Sequence, residues 1–292
     1  MFESLILILS GFGAGILGHI LGVGGGIIMM PVMVLIFHYP VHIAIPASLV
    51  AIIANSANVA ANNIKKEIIN IPLGLTLGTI TVIFAIIGGL ISLQIAERYL
   101  LILFSVVMVI VSIIYLRDIS KNKIQIGNTS AIQTNHLIKT SSYNKANVGS
   151  VFDSYYFDAV LNKKIYYKTR KVFLTLLLSA LAGLLSSMLG IGGGFIQVPA
   201  MNLVSKIPLK AAVATSNFIL GLTASSGAIV YMLYGKVDPH LIAMVVVGVY
   251  FGSKFSIRYF SKITDNKVKV FFAIMLIAVA IQMFIEAILN GK

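Results

Sequence analysis

Charged residues are scarce in this sequence, and they are unevenly spread. Only 11% of the 292 residues are Asp, Glu, Lys or Arg, whereas a typical soluble domain has about 25%. No charged residue occurs in the stretches 4–64, 68–96, 99–116, 172–205 and 211–235. About 20 apolar residues in a helix cross the hydrocarbon core of a bilayer. These stretches also lack the polar face of a soluble helix, so the sequence predicts an integral membrane protein with many spans.

Cysteine is absent, which excludes disulfides, thiolate catalysis and thiolate metal sites. No group of His, Asp and Glu residues has the spacing of metal ligands, so we predict neither a metal site nor a cofactor. The start, Met1-Phe2-Glu3, has no basic region of the kind that opens a signal peptide. We therefore interpret the first apolar segment as a retained span.

The positive charge, a net +13, is concentrated in one segment. Ten of the 22 Lys and Arg residues lie between Arg117 and Lys171, where only three Asp residues oppose them. This bias is typical of a cytoplasmic loop and does not require a nucleic-acid partner. We predict a cytoplasmic linker over 117–171, irregular or partly ordered, between two transmembrane units at 1–116 and 172–292. The predicted location is the cell membrane, either inner or plasma.

The two apolar halves resemble each other at a shift of 168 residues. The shift places Leu21–Gly26 on Leu189–Gly194, Pro31 on Pro199, Ala44 on Ala212, Ser48 on Ser216 and Phe104 on Phe272. Internal repeats of this size are common in secondary transporters. The sequence therefore predicts an all-α polytopic protein made of two homologous halves.

The number of crossings decides how the halves are oriented. Hydropathy alone gives about eight spans, and the short segments after each glycine cluster bring the total to ten. With ten, each half has five elements, the repeats are inverted, and both termini lie outside. The basic positions 65–66, 206–210 and 254–269 then all fall on the side of the linker, as the positive-inside rule requires. Four crossings per half would place 254–269 outside, so we predict the inverted arrangement.

Two glycine clusters, Gly22-Val23-Gly24-Gly25-Gly26 and Gly190-Ile191-Gly192-Gly193-Gly194, interrupt apolar segments at matching places. Each glycine costs a helix about 1 kcal/mol relative to Ala. The backbone groups that such a break frees are tolerated only inside protein or beside a water-filled cavity. A helix starting after the glycines directs its positive end and free N–H groups there, which suits an anion. The alternative is that these glycines only allow close helix contact.

On these residues the sequence resembles the sulfite exporter TauE/SafE family, also called the toluene sulfonate uptake permease family. The resemblance rests on the doubled Gly-x-Gly-Gly-Gly with its following Pro, on the Ala-x-x-x-Ser after each, and on the layout in two halves. It covers both apolar halves but not the linker, which is longer than is usual for the family. The resemblance implies export or uptake of small anions such as sulfite, sulfonates, sulfoacetate and other organic acids.

The glycines of the two breaks and the polar residues that follow them are the candidate substrate-binding residues. They are Gly24, Gly25, Gly26, Ser48, Asn55, Gly192, Gly193, Gly194, Thr215, Ser216 and Asn217. Individual Ser and Thr residues often bond only their own helix backbone. His19, three residues before the first break, is a candidate proton relay because ionisable groups inside spans are commonly functional. A neutral His19 that donates to a nearby carbonyl is the alternative.

The predicted function is secondary transport of small anions, as a permease or exporter, because no nucleotide-binding motif is present. The expected partners are the small anionic substrate and the lipid bilayer, and the sequence gives no oligomeric state. An anion channel is the mechanistic alternative. A membrane-embedded enzyme would need converging acidic residues or histidines within the spans, and an assembly protein would leave the doubled glycine breaks unexplained. We do not expect an enzyme.

Overall fold

The computed structural model describes residues 2–126, 150–158, 163–259 and 266–289. The helices of the first half are α1 (Phe2–Leu21), α2 (Gly26–Pro31, with a π-helical turn over Val32–Ile36), α3 (Val41–Lys65), α4 (Ile71–Gln94) and α5 (Glu97–Ile126). Two strands follow, β1 (Ser154–Asp158) and β2 (Lys163–Tyr167). The helices of the second half are α6 (Val172–Leu189), α7 (Gly194–Pro199, with a π-helical turn over Ala200–Val204), α8 (Leu209–Leu233), α9 (Pro239–Tyr259) and α10 (Asn266–Leu289).

In the described residues, seven helices are long and apolar enough to cross a membrane, namely α1, α3, α4, α5, α6, α8 and α9. The last helix, α10, has 24 residues. It contains the apolar segment Ala273–Leu289. These eight helices match the predicted hydropathy-detectable spans, and the prediction of an all-α polytopic membrane protein is confirmed.

Proline shapes the two short helices in the same way. Pro31 ends the regular part of α2, and Pro199 ends that of α7. Proline has no N–H group and clashes with the preceding turn, and in both helices the next five residues form a π-helical turn. Pro40 and Pro208 then precede α3 and α8, with φ angles of −53° and −54° that suit a helix start.

One end of the bundle is defined by the surroundings of Tyr39, in the loop between α2 and α3. Burial raises the pKa of Tyr39, and the nearby carboxylates of Asp238 and Glu3 raise it further. Tyr39 also lines a pocket together with Glu97 and Glu286. These contacts place the start of α1, the α2–α3 loop, the start of α5, the α8–α9 loop and the end of α10 together. We call this end the Tyr39 face.

The opposite end carries the linker, and we call it the linker face. Helix α3 begins at the Tyr39 face and has 25 residues, a length of about 37 Å, so Lys65 lies at the linker face. There the N–H of Arg170, before α6, donates to the carbonyl of Ser205, after α7, at 3.1 Å. The first half therefore starts at the Tyr39 face, and the second half starts at the linker face. Helices α2 and α7 return the chain toward the face from which each half started.

The helix contacts have the same pattern when the halves are exchanged. Helix α1 packs on α9 as α6 packs on α4, and α3 packs on α9 as α8 packs on α4. The pairs α3–α8 and α5–α10 each join equivalent helices of the two halves. This is the contact pattern that an inverted repeat predicts. The homology of the halves stays a prediction.

Small residues let the matching helix pairs approach closely. A Cβ atom at Gly15 of α1 would lie 2.4 Å from the carbonyl oxygen of Val249 in α9. A Cβ atom at Gly183 of α6 would lie 2.4 Å from the carbonyl oxygen of Thr81 in α4. In membranes, close backbone approach of this kind supplies packing that the hydrophobic effect cannot. Part of the glycine content therefore serves helix contact alone.

The linker is more ordered than its sequence suggests. Strands β1 and β2 pair antiparallel from Ser154 opposite Tyr167 to Asp158 opposite Lys163. The side chains of Tyr156, Ile165 and Tyr167 are buried with residues of α4 and α8. The sequence predicts an irregular or partly ordered linker but not this hairpin, because two five-residue strands are too short for a clear period. Helix α5 also continues to Ile126, past the predicted boundary at 116, while residues 127–149 lie outside the described part.

The positive charge at the linker face predicts on which side of the membrane this face lies. We expect Lys66→Cys, at the linker face, to be protected from an impermeant thiol reagent in intact cells and to react after permeabilisation. Lys236→Cys, at the Tyr39 face, should react from outside, because the positive-inside rule places the linker face in the cytoplasm. Both lysines are exposed. The unmodified protein has no free cysteine to label and serves as the negative control. Labelling of Lys66→Cys from outside would contradict this orientation.

Candidate functional site

The two glycine breaks meet inside the bundle. A Cβ atom built on Gly26 would lie 2.6 Å from the carbonyl oxygen of Gly190. A Cβ atom on Gly194 would lie 2.3 Å from the carbonyl oxygen of Gly22. All residues of both breaks are buried. The structure thus brings together the predicted glycines of the two halves, and we call this contact the glycine junction (residues 22–26 and 190–194).

The backbone of the junction also requires glycine for its conformation. Gly22, Gly24 and Gly25 have φ angles of 70°, 80° and 80°, and Gly190 and Gly192 have φ angles of 67° and 75°. This left-handed region is costly for residues with a Cβ atom. A leucine at Gly25 would face both this strain and the carbonyl of Ala14, 2.8 Å from its Cβ atom. A bulky substitution there is therefore expected to disturb folding, whether or not the glycine also binds a ligand.

Ser48 of α3 ties the two breaks together. Its hydroxyl oxygen lies 3.2 Å from the carbonyl oxygen of Gly26 and also hydrogen-bonds the carbonyl oxygen of Gly190. One turn later, Ile52 contacts the break positions Gly24 and Gly192. Leu220 of α8 contacts the same two glycine positions. The crossing of α3 and α8 therefore encloses the glycine junction.

Both short helices begin at the junction. The first N–H groups of a helix have no carbonyl one turn back, and they carry the positive end of the helix dipole. In this structure the start of α2 faces the carbonyl of Gly190, and the start of α7 faces the carbonyl of Gly22. The junction is closely packed. A pocket of about 500 Å³ lies instead at the Tyr39 face, beside the end of α2.

The serine that corresponds to Ser48 makes a different contact. Ser216 of α8 donates to Oε1 of Gln197 on the first turn of α7, at 3.3 Å. The amide nitrogen of Gln197 has no hydrogen-bond partner, although the residue is fully buried. Gln197 was not among the predicted site residues. The signal that could have found it is an amide in the second short helix at the position where the first has Met29.

Two further amides are buried with unpartnered atoms. Neither amide atom of Asn55 has a hydrogen-bond partner, and this side chain lies one turn after Ile52 on α3. The Nδ2 atom of Asn217 donates to the carbonyl of Val213 at 3.0 Å, while its Oδ1 atom has no partner. An unsatisfied buried polar group costs about 1–3 kcal/mol. Such atoms therefore mark positions where a polar ligand would be stabilised.

Thr215 is placed differently from the other predicted residues. Its hydroxyl accepts the N–H of Asn70 at 3.1 Å, at the start of α4. The side chain of Asn70 also caps this helix, since Oδ1 accepts the N–H of Leu73, and its Nδ2 atom donates to the carbonyl of Phe152. Thr215 therefore joins the second half to the α3–α4 loop, and the hydrogen bond of its hydroxyl is made there and not at the glycine junction.

His19 has a partner on another helix. Its Nδ1 atom lies 2.8 Å from the hydroxyl oxygen of Ser256 on α9, and this hydroxyl also contacts the carbonyl of Ile16 at 3.3 Å. The predicted alternative of a direct bond to a carbonyl is thus replaced by a hydroxyl contact. The role of His19 as a proton relay stays a prediction. Among the residues that the structure describes, no group of three or more His, Asp or Glu side chains could hold a metal ion.

A family profile described as sulfite exporter TauE/SafE matches residues 7–283. The chain belongs to the TauE/SafE family. It is 26% identical to the probable membrane transporter protein YunE of Bacillus subtilis, over 98% of this chain and 99% of YunE. It is 24% identical to the probable membrane transporter protein MJ0441 of Methanocaldococcus jannaschii, over 91% and 89% of the two chains. No solved structure gives a significant match. The protein is a multi-pass membrane protein of a transporter family.

The hydrogen bonds of Ser48 to both breaks predict an effect on the stability of the fold. We expect Ser48→Ala to lower the free energy of unfolding by about 1–3 kcal/mol, because two buried carbonyls lose their shared donor. Ser225→Ala is the matched control, since Ser225 donates only to the Gly221 carbonyl of its own helix. Its stability should change little. Thermal unfolding of the detergent-purified proteins measures both, and equal melting temperatures would show that Ser48 does not hold the junction.

Proposed function

We propose that this protein is a secondary transporter of small anions, with sulfite, sulfonates and other organic acids as the candidate substrates. The family supports a transporter. The observation that supports an anion is the glycine junction, where the first turns of two short helices converge from opposite halves. A helix start concentrates about half a positive charge and several free N–H donors. Two such starts at one buried point favour a negatively charged ligand.

The substrate enters when the two breaks separate. In the closed arrangement the carbonyls of Gly190 and Gly22 occupy the space in front of the two helix starts. Moving the halves apart removes these carbonyls and exposes the N–H groups of both α2 and α7 to the same space. An anion there accepts hydrogen bonds from these N–H groups. Hydrogen bonds to ions are the stronger ones, so these donors favour an anion over a neutral ligand.

The opposite orientation of the halves supports alternating access. Helix α2 runs from the junction toward the Tyr39 face, and α7 runs from it toward the linker face. Movement of the first half opens a path along α2, and the equivalent movement of the second half opens a path along α7. Transporters with inverted repeats commonly use such exchangeable movements around a central site. The Ser48 contact opposes opening by only about the strength of one hydrogen bond, about 1 kcal/mol, so it is readily broken.

Flux through purified protein in liposomes tests this proposal. We expect saturable uptake of at least one of sulfite, an alkyl sulfonate or a small carboxylate, and no comparable uptake of sodium or potassium ions. Gly13→Ala provides a folded control with unchanged flux, because a Cβ atom at Gly13 meets nothing within 4 Å. Cation flux without anion flux would contradict the proposal. Anion flux that rises linearly without saturation would favour the channel alternative.

A further inference from the structure

The two halves differ chemically at equivalent positions beside the glycine junction. In the first half, the short helix has Met29, and Ser48 bonds the two break carbonyls. In the second half, the short helix has Gln197, and Ser216 donates to the Oε1 atom of Gln197. The first half thus uses its serine to close the junction. The second half uses the equivalent serine to orient an amide.

The oriented amide has a donor group without a hydrogen-bond partner inside the bundle. With Oε1 held by Ser216, the NH₂ group of Gln197 points away from Ser216 and has no partner, although the side chain is fully buried. An amide NH₂ group offers two N–H donors and no acceptor. Its own backbone N–H is already bonded to the carbonyl of Gly193 at 3.0 Å. A ligand with oxygen acceptors would satisfy this donor, and a cation would be repelled by it.

The surrounding spans contain no competing cation. The stretches 172–205 and 211–235 have no Lys or Arg. They include α6, α7 and all of α8 after its first two residues, Leu209 and Lys210. In this part of the bundle an anion must therefore be stabilised by neutral donors. The NH₂ group of Gln197 is on the first turn of α7, three residues after Gly194, so it belongs to the same helix start that faces the first break.

We propose that Gln197 contacts the substrate and sets specificity for an oxyanion, with Ser216 as the residue that positions its amide. This inference rests on the proposed transport function and adds the residue that recognises the substrate. The ligand class is a small anion with at least one oxygen acceptor, such as a sulfite, sulfonate or carboxylate group. The first half, with Met29, supplies no equivalent donor, so the site binds its ligand asymmetrically.

The decisive variant is Gln197→Met, which keeps the length of the side chain and copies the first half. We expect the apparent affinity for the transported oxyanion to fall roughly ten- to a hundredfold, the range for losing one hydrogen bond to a charged group. The melting temperature without substrate should change little, because the removal of an unpartnered buried donor offsets the loss of the hydrogen bond from Ser216. Gln94→Met makes the same exchange at an exposed position on α4. It should leave both quantities unchanged.

Ser216→Ala tests the positioning role. We expect a smaller loss of affinity than for Gln197→Met, since the amide stays but loses its orientation. In the double variant, Ser216→Ala should add nothing to Gln197→Met. A purely structural serine would instead lower affinity or stability by the same amount in both backgrounds, because independent effects add.

The outcomes separate this inference from the proposed function. If the unmodified protein moves no anion in liposomes, the proposed function fails. If it moves an oxyanion and folded Gln197→Met does so with unchanged affinity, the inference about Gln197 is overturned and the proposed function stands. Should Gln197→Met fail to fold, Gln197→Glu decides, with protein integrity checked by gel filtration. Its carboxylate should abolish oxyanion flux, and flux equal to that of the unmodified protein would overturn the inference.

Discussion

Backbone hydrogen bonding inside the membrane is the constraint on which this structure depends. Lipid offers no partner for a free N–H or carbonyl group, so an interrupted helix must find its partners within the protein. The protein has two interruptions, and it buries each against the other. The carbonyl of Gly190 faces the start of α2, and the carbonyl of Gly22 faces the start of α7. Each half thus covers the exposed backbone of the other.

The burial of each break against the other explains why so many glycines are needed in two short segments. Some have φ angles that a Cβ atom would strain, as at Gly24 and Gly192. Others, such as Gly26 and Gly194, leave room for a carbonyl of the opposite break. The hydroxyl of Ser48 then donates to the carbonyls of Gly26 and Gly190, one from each break. In the proposed transport cycle, a charged ligand with several acceptor atoms replaces these contacts between the two breaks.

Much of this architecture could be predicted from the sequence because it depends on local patterns. Long charge-free stretches predicted the spans, and the glycine triplets with Pro31 and Pro199 predicted the broken short helices. The direct contact between the breaks could not be predicted, since it depends on how distant helices pack. The pairing of Ser216 with Gln197 was missed for the same reason. The β-hairpin was missed because its two strands have only five residues each.

Separation of the two breaks during transport is the central claim, and a reversible cross-link tests it most directly. Ile52 and Leu220 lie on opposite halves and contact the same glycine positions. A protein with Ile52→Cys and Leu220→Cys should form a disulfide under a membrane-permeant oxidant, detected as halves that stay joined after proteolysis in the linker. We predict that the cross-link stops anion flux in liposomes, that reduction restores it, and that neither single variant responds to oxidant. Full flux through the verified cross-linked protein would contradict the account.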